Sequence, residues 1–120
     1  MAHIDNMVSE ERSIQMTKDK SLSELKKYSR CIIDPKHGQR IAKAWGFTLK
    51  DLDIHTRSQK WFLGYGDDKL MAIDSSQLAS AIAEKITGER VYSDMLGHGS
   101  HADDITYKSI ALLEKALATN

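Results

Sequence analysis

The run from Asp34 to Arg57 constrains the fold more than any other part of the sequence. Its boundaries are written in residues that permit few alternatives. Asp34-Pro35 closes whatever precedes it, because a residue before proline is pushed out of the helical region. The same pair opens a helix, with Asp34 as N-cap and Pro35 at the first helical position. Ile41, Ala42, Ala44 and Trp45 then supply an apolar face, and Gly46 offers the left-handed residue that ends a helix. Thr48, with Asp51 three residues on, forms a capping box for another helix, whose Leu49 and Leu52 face inward. The spacing predicts two short helices, 35–45 and 49–60, joined by a tight turn.

The rest of the chain is read around this pair. Ser21 and Glu24 form a second capping box, followed at helical spacing by Leu22, Leu25 and Ile32, so a helix is expected from Ser21 to Asp34. Trp61-Phe62-Leu63-Gly64-Tyr65-Gly66, then Asp67-Asp68 and Lys69 to Ile73, has two readings. One is a short β-hairpin near 61–73 about the Gly-Asp-Asp turn. The other is the end of the third helix, a loop, and an entry to the next. Asp74, Ser75 or Ser76 caps an alanine-rich helix that Gly88 stops. A last helix runs from about His101 to Ala118. Its Ile105, Ile110, Leu112, Leu113, Ala116 and Leu117 face in, with Asp103 and Asp104 at its positive end. The expected class is mainly α, a compact bundle of four to five helices with at most one hairpin. Residues 1–20 are expected as a polar arm and 21–120 as one helical domain.

Composition narrows the function. Lys plus Arg and Asp plus Glu number 17 each, and this balance disfavours strong nonspecific attraction to nucleic acid or anionic membrane. The single cysteine, Cys31, leaves no internal disulfide framework and suits a reducing compartment. The first residues carry neither a basic region nor an apolar run, and no stretch is long enough to span a bilayer. The expectation is a cytoplasmic protein without membrane attachment.

The spacing of Ala42, Gly46 and Leu52, with Ile41, Trp45 and Phe47 around them, resembles the helix-turn-helix motif over about residues 38–57. That resemblance implies a DNA-binding regulator whose second helix enters the major groove. Thr48 and Lys50 would lie near the bases, with Lys36, Arg40, Lys43, Arg57 and Lys60 on phosphates. Asp51 and Asp53 on the reading helix oppose it, since carboxylates meet a polyanion poorly, and His55 stands where the motif takes an apolar residue.

A second chemical candidate is the Gly97-His98-Gly-Ser-His101-Ala-Asp103-Asp104 loop. His98, His101 and Asp103 offer nitrogen and oxygen ligands for a divalent metal, and so a metal-dependent enzyme. Without the histidines, the same residues read as a glycine-rich entry to a helix capped by Ser100. No catalytic set is otherwise present: Gly64-Tyr-Gly66 lacks the lysine and context of a phosphate loop, and no cofactor is required.

The reading that asks least of the residues is a small non-catalytic protein-interaction module: an adaptor, inhibitor or accessory regulatory factor that binds a protein partner or itself. Trp61, Phe62, Tyr65 and Tyr92 are its candidate interface, because aromatic side chains anchor interfaces. DNA binding and the metal enzyme stand as the alternatives.

Overall fold

The first helix begins where Thr17 turns its hydroxyl onto the Lys20 N–H, at 3.1 Å. In the computed structural model, which describes residues 16–67, 69–93 and 101–118, this helix, α1, spans Lys18–Lys27. The cap is therefore Thr17 and not Ser21. Ser21 sits a turn inside, fully buried, its hydroxyl donating to the Lys18 carbonyl at 2.6 Å. Lys18 to Lys20 accordingly belong to the helix, and the remaining arm, residues 1–15, lies outside the described residues.

The helix also ends earlier than the Asp34-Pro35 signal suggests. It stops at Lys27, and Arg30 adopts the left-handed conformation, φ 69°. The β-branched pair Ile32–Ile33 becomes a strand, β1, a conformation these residues favour. Helix α2, Pro35–Lys43, follows as expected, with the Asp34 carboxylate accepting from the Lys36 N–H at 2.7 Å. Gly46, φ 89°, turns the chain, and the N–H groups of Gly46 and Phe47 close back onto Lys43 and Ala42.

Beyond Gly46 the structure corrects the sequence reading. Thr48 and Asp51 do form the capping box: the Thr48 N–H donates to the Asp51 carboxylate at 2.9 Å and the Asp51 N–H to the Thr48 hydroxyl at 3.0 Å. The helix expected over 49–60 nevertheless lasts one turn. Asp53 enters the left-handed region, φ 56°, and the Ile54 N–H reaches back to Leu49 O at 2.9 Å. The bend places both Leu52 and Ile54 in the core, which a continuing helix would not do for residues two apart.

The chain then enters strand β2, Arg57–Ser58, the short helix α3, Gln59–Leu63, and strand β3, Met71–Asp74. A hairpin exists, in altered form. Its second strand lies where the sequence places it, but Arg57 pairs with Ala72 and Ser58 with Met71, so the first strand precedes Trp61. Trp61 to Leu63 are helical, capped by the Ser58 hydroxyl and ended by Gly64 at φ 75°. On the other side β3 pairs with β1, Ile33 opposite Ile73, giving an antiparallel sheet in the order β1-β3-β2.

Helix α4, Ser75–Thr87, is capped by Asp74 and stopped by Gly88. It packs against α5, His101–Ala118, through Ala79, Ile82 and Ala83 on one side and Ser109, Ile110 and Leu113 on the other. The Thr106 and Ser109 hydroxyls donate to carbonyls one turn earlier, so both are buried without an orphaned group. One core cluster unites α1, α2, the 49–54 turn, the sheet, α4 and α5. The molecule is a compact, mainly α single domain: five helices among the described residues, with a small three-stranded antiparallel sheet. None of these helices is long and apolar enough to cross a membrane.

Candidate docking surface

Among the described residues, the hairpin carries most of the large exposed apolar side chains. Trp61 is 66% exposed, Tyr65 73%, Leu70 51%, Leu63 44% and Met71 42%. The cause is local: α3 buries none of its residues, since five residues bridging two strands have no layer to pack on. The side chains organise one another instead. The Phe62 ring meets Trp61 edge-on at 4.9 Å, and the Arg57 guanidinium lies 5.3 Å from the Trp61 ring centre. These contacts pre-order the tryptophan and leave most of it facing solvent.

Beside the hairpin, α2 presents a basic stripe. Lys36, Arg40 and Lys43 are spaced four and three residues apart, which puts them on one helix face, and all three are exposed. Among the described residues none of them takes an ion-pair partner, nor does Lys69. A groove of about 340 Å³ joins stripe and hairpin, lined by Pro35 and Lys36 of α2 and by Gln59, Lys69, Leu70 and Met71 of the hairpin. Asp34 also lines it, its carboxylate occupied by the helix cap.

The other expected sites are dispersed. Thr48 and Lys50 are exposed, Thr48 being engaged in its capping box. Hydrogen bonds from the Thr48 N–H and hydroxyl hold the Asp51 carboxyl below the ordinary aspartate range. Asp51 and Asp53 line a separate groove with Glu84 and Lys85, so the flank of the 49–53 turn is acidic. Exposed Arg57 and Lys60 belong to the hairpin and not to a reading helix.

Tyr92 is 66% exposed and does not line the hairpin groove. It lines a groove of about 450 Å³ with Arg90, Lys108, Leu112 and Lys115, where the Lys108 ammonium donates to its carbonyl at 3.2 Å. A hydrogen bond with Tyr92 holds the Arg90 guanidinium above its usual value.

For the metal loop, His98 lies outside the described residues. His101 Nδ1 is 3.0 Å from the Ser93 hydroxyl. Asp103 accepts from the Ser29 hydroxyl and sits 3.5 Å from the Arg30 guanidinium, both in the turn that follows α1. No cluster of three His, Cys, Asp or Glu side chains suited to a metal occurs among the described residues.

Leu63, Lys69, Leu70 and Met71 are the surface residues that sequence reasoning passes over. Their signal was the apolar run before Ala72-Ile73, which reads as core until the register shows Ala72 and Ile73 buried and Met71 exposed. Compared with known proteins, the chain matches no family model, no curated protein sequence and no solved structure.

Proposed function

We propose that this chain is a non-catalytic protein-interaction module, an adaptor or accessory factor, that docks a partner protein through the β2–β3 hairpin. One observation carries the reading: among the described residues, five of the eight large exposed apolar side chains fall between Trp61 and Met71. Interfaces gain most from a few aromatic anchors accompanied by lesser contacts, and the hairpin offers Trp61 and Tyr65 as anchors together with Leu63, Leu70 and Met71. None of the five belongs to the core cluster of the described residues. A cytoplasmic setting goes with the reading, because the exposed free thiol of Cys31 suits a reducing compartment.

The basic stripe of α2 favours DNA binding as a second reading. Against it stand the one-turn second helix and the acidic groove of Asp51, Asp53 and Glu84 beside that turn. A polyanion approaching along the motif's usual face meets carboxylates.

The test is a selection of peptides from a displayed random library on the immobilised chain, repeated on the W61S/Y65S/L70S variant. Peptides enriched on the parent should lose binding to the variant while its circular dichroism and Tm stay close to the parent's. Peptides that bind both forms equally would remove the hairpin from the interface.

A further inference from the structure

The apolar hairpin does not stand alone, and its surroundings specify a partner. Lys36 and Lys69 both line the groove that Leu70 and Met71 also line, and Arg40 and Lys43 continue the positive line along α2. The only acid lining this groove among the described residues, Asp34, is committed to the α2 N-terminus. On a chain of zero net charge, these cations take no ion-pair partner among the described residues and lie beside exposed apolar side chains. Asp51, Asp53 and Glu84 line another groove, and the exposed Asp67 in the hairpin turn accepts from the Lys69 N–H.

Building on the docking reading, we propose that the partner is an acidic protein segment. Its apolar side chains seat on Trp61, Tyr65, Leu70 and Met71, and its Asp or Glu residues run along Lys36, Arg40, Lys43 and Lys69. Unpaired cations at the edge of an apolar patch select a partner of opposite charge and speed its encounter. They also reject partners whose own cations would be brought beside them.

Single-stranded nucleic acid shares the requirement for cations and aromatic rings, but the surface suits it less. Nucleotide-binding platforms offer open ring faces for stacking. Here the Arg57 guanidinium lies 5.3 Å from the centre of the Trp61 ring, Phe62 packs at right angles to it, and three of the hairpin's five large exposed apolar side chains are aliphatic. Leu63, Leu70 and Met71 complement apolar side chains and offer nothing for a base to stack on.

The experiment uses two labelled probes read by fluorescence anisotropy at low and moderate salt: the peptides selected on the full chain, and a twenty-nucleotide oligothymidylate. The selected peptides should be enriched in Asp and Glu around Leu, Ile or Trp. The K36E/R40E/K43E variant should weaken them by at least roughly tenfold, and added salt should weaken the parent complex more than the variant's. A lysine-rich consensus, or indifference to charge reversal, overturns the acidic partner. If those peptides still need Trp61 and Tyr65, docking by the hairpin survives that result; if they do not, both proposals fall. Oligothymidylate bound more tightly than every peptide, and released by salt, replaces the acidic segment with nucleic acid.

Discussion

Trp45 donates its indole N–H to the Ser21 hydroxyl at 2.7 Å, inside the core, and so ties the end of α2 to the middle of α1. Ser21 passes the bond on to the Lys18 carbonyl at 2.6 Å, leaving no polar atom of the pair unmet. The alanine variant removes the acceptor and leaves a buried donor. Ser21→Ala should destabilise the protein by about 1–3 kcal/mol. In a double-mutant cycle by urea unfolding, Trp45→Phe should recover part of the serine's effect. Additive losses would mean that the two residues act separately.

Gly38 has a different task. A Cβ at this position of α2 would strike Ile73 Cδ1 on β3, with Ile33 Cδ1 just beyond at 3.7 Å. Alanine gains about 1 kcal/mol of helix propensity, but overpacking a fully buried isoleucine costs about 1–3 kcal/mol. Gly38→Ala should therefore be net destabilising. In an Ile73→Val background, which removes the obstructing methyl, the same change should turn neutral or stabilising. Chemical denaturation of the four proteins decides it, and a loss undiminished by Ile73→Val would locate the conflict elsewhere.

The Asp51 cap gives a pH dependence whose sign is fixed. Its carboxyl titrates lower in the folded chain than in the unfolded one, because the Thr48 N–H and hydroxyl bond the charged form. The stabilisation is complete above the unfolded value, about pH 4, and is lost as pH falls through the lower folded value. Wild type should lose more Tm than Asp51→Asn between pH 5 and pH 2.5. Equal losses would show that the cap is not formed in solution.

The hairpin side chains should separate binding from stability. Tyr65 and Leu70 are more than half exposed, so Tyr65→Ser and Leu70→Ser should each change stability by less than about 0.5 kcal/mol. Each should still weaken a selected peptide by roughly tenfold or more. Thermal denaturation and anisotropy on the same samples provide the comparison. A large Tm loss would assign these residues to packing.

The local punctuation of this chain is legible in its sequence, and the pairing across it is not. Asp34-Pro35, Gly46, Thr48 with Asp51, Asp74 and Gly88 act where they stand, because each satisfies backbone groups within a few residues. Ser21-x-x-Glu24 matched the same template and failed, because the helix already starts at Lys18 under the Thr17 cap, leaving Ser21 a turn inside to bond Lys18 and Trp45. Ile32-Ile33 continued the spacing of α1, yet became a strand because β3 offers its edge. Helix 49–60 was lost to the demand that Leu52 and Ile54 share one core. The same limit applies to the surface. Trp61 and Tyr65 are visible as aromatics, but only the structure shows that Leu70 and Met71 in the same hairpin are exposed as well. The basic residues first assigned to DNA prove to be split between α2 and the hairpin.

The most direct test of docking by the hairpin is a backbone amide NMR map of the full chain titrated with a peptide selected on it. The largest shift changes should fall on residues 57–72 and on the Lys36–Lys43 face of α2. Changes centred instead on the Tyr92, Lys108 and Lys115 groove, or on Asp51, Asp53 and Glu84, would contradict the account.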